Sequence, residues 1–234
     1  AEDDLASFAT QDPVMGTQVR ALRSNAGSWM LLNQTDAPEG DVAHGNPLVP
    51  AFATRPLFAY ISIDGATNGF HGWQMTGAAN TEVLTTSGLP AGTDFVAATF
   101  EAPRADVIFF TPGQATVRVR RIMPGAPWTF SAEAPFTFSG AIQQLVTVSD
   151  ATGPKVLARF ASGALAIYGY TQSGGFSAPT PITPSGAAGL LSGLVPMPGN
   201  SFQLLFAPSA GAASATSVTF KNGTSGWTQT AVTA

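Results

Sequence analysis

The sequence predicts an all-β fold, a single five-bladed β-propeller of four-stranded antiparallel blades over residues 1–234. Three observations carry this. A β-hairpin pattern occurs five times, each copy turned at a glycine: Gly27, Gly65, Gly113, Gly163 and Gly211. Those glycines are spaced 38, 48, 50 and 48 residues apart, a period that marks propeller blades. One further short strand-like segment flanks each hairpin on either side, which makes four strands per unit.

The clearest hairpin is KVLARFASGALAIYGY, residues 155–170. Its period is two, and no helical stripe can be drawn through it. In chain order, the second strands with their turns read QVRALRSNAG, LFAYISIDG, DVIFFTPG, KVLARFASG and FQLLFAPSAG. The third strands read SWMLLNQTD, FHGWQMTG, TVRVRRIMPG, LAIYGYTQSGG and TSVTFKNGTSG. First strands are expected in SFATQDPVMG, LVPAFATRP, DFVAATFEAP, QQLVTVSDATG and GLVPMPGN. Fourth strands are expected in DVAHG, EVLTT, WTFSAEA, FSAPTPI and WTQTAV. The blades then cover about 5–45, 46–88, 92–138, 141–184 and 190–234. A twisted sheet with two half-apolar faces cannot bury both alone, and radial packing of such sheets solves the problem. Two packed sandwiches would not need five evenly spaced hairpin glycines. The short first interval predicts that the first blade has lost residues, or that its fourth strand is a loop.

Composition narrows the class. The chain has 234 residues and no cysteine, which excludes disulfide staples and thiolate metal sites. Charged residues are 10%, against roughly 25% in an ordinary domain, so small neutral groups build the surface. That suits secreted or assembled proteins and places the chain outside a cell or on a particle. The net charge of −4 gives no reason to expect nucleic acid. No apolar run is long enough for a span, so no membrane insertion is expected. The start AEDD fits a mature end left by processing.

The order of strand, turn, apolar strand, Gly, apolar strand and aromatic resembles the FG-GAP repeat. It is also similar to tachylectin-2-like propellers of comparable length. FG-GAP repeats carry a calcium loop. Only Asp150-Ala151-Thr152-Gly153 echoes that loop, with two ligands missing. No calcium, other metal or cofactor is therefore expected. Sialidase-type Asp boxes are absent, because Ser62-Ile63-Asp64-Gly65 places its glycine one position early.

Candidate chemistry divides by residue type. Asp12, Glu101 and Asp150 sit at the ends of first strands. Five-bladed glycosidases use three carboxylates near the axis. These three fall at turns on the opposite side from where such enzymes work, and the other face offers only Asp64 and Asp94. We read Asp12 and Asp150 as turn residues that accept backbone N–H groups. His44 and His71 lie on different blades, without a metal-ligand spacing or a nucleophile elbow. No catalytic residue is assigned. Arg118 and Arg120 share one face of a third strand. Such a pair can fork a carboxylate, sulfate or phosphate, or simply pair with Glu133, the reading we favour. Trp128, Phe176 and Trp227 recur at the start of fourth strands, and Trp73 belongs to a third strand. These rings can stack on sugars or wedge neighbouring blades apart, and their register favours the wedge.

The chain is read as a non-catalytic binding module. Carbohydrate is the leading ligand, with Trp73, Trp128, Phe176, Trp227, Arg118 and Arg120 as candidate contacts. The alternatives are a structural component of an assembly, such as a virion spike or decoration protein bound to another protein, and a five-bladed glycoside hydrolase.

Overall fold

The computed structural model describes residues 5–12, 16–25, 28–36, 41–48, 57–64, 67–75, 80–99, 105–123, 125, 128–150, 153–171, 175–186, 190–197, 201–208, 215–223 and 226–233. Every regular element among them is a β-strand, and all the pairings are antiparallel. The chain divides into two units, Ala1–Phe138 and Ser139–Ala234.

The first unit holds three sheets. The first has the order β1 (Leu5–Asp12), β2 (Gly16–Asn25), β3 (Ser28–Asp36). The second runs β4 (Asp41–Leu48), β5 (Leu57–Asp64), β6 (Thr67–Met75), β7 (Asn80–Pro90). The third runs β8 (Asp94–Thr99), β9 (Ala105–Phe110), β10 (Thr116–Met123), β11 (Thr129–Phe130), and β12 (Ala134–Thr137) also pairs with β10. The second unit holds two sheets. One is β13 (Ile142–Asp150), β14 (Gly153–Phe160), β15 (Leu165–Gly169), β16 (Thr180–Ile182). The other is β17 (Leu190–Met197), β18 (Ser201–Ala207), β19 (Thr216–Gly223), β20 (Gly226–Thr233).

One boundary differs from the sequence reading. The segment DVAHG was expected to be the fourth strand of the first blade. It opens β4 instead, which pairs with β5 from Asp41↔Ile63 to Leu48↔Leu57. The physical reason is length. Only residues 37–40 separate β3 from β4, too few for another strand. The first sheet therefore has three strands among the described residues, and the short first glycine interval is the missing strand. Most of LVPAFATRP, expected to be the first strand of the second blade, lies at 49–56, outside the described residues.

The hairpin glycines explain themselves where they are described. Gly113 has φ 90° and Gly163 φ 84°, a left-handed backbone that a side chain would strain. Gly27, Gly65 and Gly211 lie outside the described residues.

The second strand of the third sheet is buried throughout. All six residues of β9, Ala-Asp-Val-Ile-Phe-Phe, are buried, because a strand with neighbours on both faces of its sheet loses the usual alternation. Its polar member, Asp106, is 1% exposed and accepts from Arg121 Nε at 3.1 Å across the β9–β10 ladder. A buried carboxylate is tolerable only with such partners.

Among the described residues, two cores form, each between consecutive sheets. In the first unit, Ile61, Phe70 and Leu84 of the second sheet meet Phe95, Val107 and Phe109 of the third. Phe70 packs edge-on against Phe95 and Phe109, with ring centroids 5.1 and 5.4 Å away. In the second unit, Leu157, Leu165 and Ile167 meet Phe202, Leu204 and Phe220. Each fully buried ring contributes roughly 1.5–3 kcal/mol of transfer free energy.

Candidate functional site

Outer strands are joined to third strands by a recurring hydroxyl. In the third sheet, the Arg121 N–H donates to Ser131 Oγ at 2.9 Å, and the Ser131 N–H donates to the Arg121 carbonyl at 2.8 Å. In the fourth, the Gly169 N–H donates to Ser177 Oγ and the Ser177 N–H to the Gly169 carbonyl, both at 2.8 Å. In the fifth, Thr230 sits at an irregularity of β20, and its Oγ1 donates to the Thr219 carbonyl at 3.3 Å. Ser131, Ser177 and Thr230 are thus equivalent. The match is independently fixed by strand pairing, since Arg118 faces Pro135 and Ala166 faces Pro181.

This register sorts the aromatic candidates. Trp128 and Trp227 both stand three residues before the hydroxyl and are equivalent. Phe176 stands one before it and matches Phe130, so it is two positions out of the register inferred from sequence. Trp128 is half-buried against the core of the second and third sheets. Trp227 is half-buried against that of the fourth and fifth, with its ring 5.0 Å from Phe202. Phe176 lies edge-on to Tyr170 at 5.0 Å. Trp73 is 5% exposed on β6, and its Nε1–H finds no hydrogen-bond partner among the described residues. All four rings pack against protein.

The arginines form a defined site. Arg118 and Arg120 share one face of β10, opposite Phe109 and Val107. Arg118 Nε lies 3.6 Å and Arg120 Nε 3.8 Å from the two oxygens of Glu133. Both separations exceed a direct N–H···O bond, so charge holds the carboxylate in place. Arg120 is fixed from two further sides. Its Nη1 donates to Thr86 Oγ1 at 3.1 Å, and its guanidinium lies 5.6 Å from the centre of the Phe130 ring. Its Nε is buried and makes no hydrogen bond among the described residues. Arg118 is the freer of the two, with 46% of its side chain exposed. It borders a small notch of about 20 Å³ that Thr93, Thr111 and Thr116 also line. That volume suits a single water. Thr93 Oγ1 donates to the Pro90 carbonyl at 2.6 Å and lies 3.4 Å from Thr111 Oγ1. The notch sits where the connection entering the third sheet meets the turn between β9 and β10.

Glu133 was legible as a partner of the arginines. Phe130, Thr86 and Thr93 were not, because they come from another strand or another sheet. Among the carboxylates, Asp94 Oδ1 accepts the Phe95 N–H at 2.7 Å, a turn role. Glu101 lies outside the described residues, while Asp12 and Asp150 end β1 and β13. His71 Nδ1 lies 2.6 Å from Glu82 Oε1. Among the described residues, no three His, Asp or Glu gather as metal ligands.

No protein-family model matches the chain, and no curated protein matches it. Solved structures do. The Aleuria aurantia lectin, in a mutant complexed with Fucα1-6GlcNAc, superposes with a TM-score of 0.56 at 16% identity, over 98% of this chain and 79% of that one. Another structure of the same lectin is described as a six-bladed β-propeller with a novel fucose recognition mode. A mutant of AofleA from Arthrobotrys oligospora gives 0.59 at 14% identity, over 99% and 70%. The WD40 domain of SCAP from fission yeast gives 0.57 at 7%, over 95% and 66%. The chain is a β-propeller built largely of four-stranded antiparallel blades. The Aleuria lectin is described as six-bladed, whereas five sheets stand among the described residues here.

Proposed function

We propose that this protein is a non-catalytic glycan-binding propeller, displayed outside a cell or on a particle, with its site at Arg118, Arg120 and Glu133. The supporting observation is the spacing within that trio. Two guanidiniums flank one carboxylate at distances too long for direct bonds, beside threonine hydroxyls and the Phe130 ring. A sugar offers neighbouring hydroxyls that accept from arginine and donate to glutamate, and such charge-assisted bonds are the stronger kind. The lectins among its structural neighbours support the same reading.

A glycan array probed with the purified protein, followed by titration of the glycan it selects, provides the test. Arg118→Ala and Glu133→Gln should each weaken binding by about tenfold or more, the worth of one charge-assisted hydrogen bond. The unfolding temperature should hardly move, because Arg118 is half-exposed. An array with no signal above background, or variants that bind unchanged, would refute the proposal.

A further inference from the structure

The place in the repeat that carries Arg118 and Glu133 in the third sheet is occupied differently in the fourth. Ser131 and Ser177 are equivalent, so Arg118 corresponds to Ala166 and Glu133 to Pro179. The charges are gone, and a cleft of about 340 Å³ stands there, all of whose lining residues belong to the second unit. Phe160, Leu165, Ala166, Pro179 and Pro181 line it, and the hydroxyl-bearing Ser139 and Ser162 are exposed. No charged side chain is among its lining residues. In the fifth sheet the same positions hold Thr216 and Val232, so among these three sheets the charged trio occurs once.

We propose that this cleft is a second binding site, for an uncharged ligand that presents an apolar ring face. Its volume falls within the range of small-molecule pockets, roughly 300–1,000 Å³. A charged ligand would lose water there and find no ionic partner. The ring edge of Phe160 and the two prolines offer flat hydrocarbon, and the serine hydroxyls offer a polar rim. The inference goes beyond the glycan reading, because it concerns other residues and a site without charged partners.

Fluorescence titration with the neutral dye N-phenyl-1-naphthylamine tests it. Ala164 and Ser162 are exposed on the β14–β15 turn at the cleft, so Ala164→Phe and Ser162→Phe block the cleft without touching the core. The wild-type protein and Arg118→Ala should show saturable enhancement with one dye per chain. The two phenylalanine variants, with unchanged circular dichroism, should bind roughly tenfold more weakly or worse. Absence of saturable enhancement in the wild type would overturn the proposal, and so would equal affinity in both phenylalanine variants. Glycan binding by the phenylalanine variants should be normal, so loss at one site is distinguishable from loss at the other.

Discussion

At the scale of the residue, the two carboxylates paired with the arginines of β10 do different work because their surroundings differ. Asp106 is buried and Arg121 reaches solvent, so the carboxylate bears the desolvation cost and the guanidinium offsets it. Asp106→Ala removes the charge but leaves Arg121 able to turn outward. The cost should therefore fall below that of breaking a fully buried pair, about 2 kcal/mol, read by urea denaturation. A change under about 0.5 kcal/mol, the size of an ordinary surface substitution, would show that the pair adds nothing. Arg118 and Glu133 are half-exposed, and their contact contributes little to stability. That leaves both side chains available to a ligand.

At the scale of the element, the recurring hydroxyl lets an outer strand bend without losing its neighbour. Ser131 and Ser177 each present an oxygen to a backbone N–H of the third strand, which replaces a missing ladder bond. Ser177→Ala should cost about 1 kcal/mol and speed amide exchange at Gly169, while exchange at Val156 and Leu157 stays unchanged. Equal acceleration along all of β14 would mean that the hydroxyl holds the whole sheet and not one rung. These irregularities also explain what the sequence withheld. Hairpins such as 155–170 were legible, because period-two patterning and turn glycines are local. Phe176 was misregistered because the connection into the outer strand is shorter in the fourth sheet, where Ser177 follows Gly169 by 8 residues while Ser131 follows Arg121 by 10, and no local pattern marks the difference. The first blade's boundary failed for a related reason: DVAHG alternates well enough to sit at either end of a blade, and only the shortage of linker decides between them.

At the scale of the whole molecule, the apolar cores explain which substitutions should be severe. Phe70→Ala empties the middle of a ring cluster and should cost about 3–5 kcal/mol. Trp227→Ala, which the sequence alone would rank as highly, should cost nearer 2 kcal/mol, because the ring is only half-buried. Thermal or urea unfolding of the pair checks the order, and a costlier Trp227 would reverse it. Proteases should spare Ser87-Gly88 and Ser185-Gly186, although Ser-Gly is a dipeptide common in turns. Ser87-Gly88 lies inside β7. Ser185 is clamped by the Gln229 amide, which accepts from its N–H and donates to its carbonyl, both at 2.8 Å. Both described cores are seams, with half of each seam written in one repeat and half in the next. A repeat copied or exchanged on its own would therefore carry an unmatched half. The smallest piece of this chain that evolution or an engineer can graft intact is a joint: the outer flank of one sheet together with the inner flank of its successor, as a carpenter would cut tongue and groove from one board.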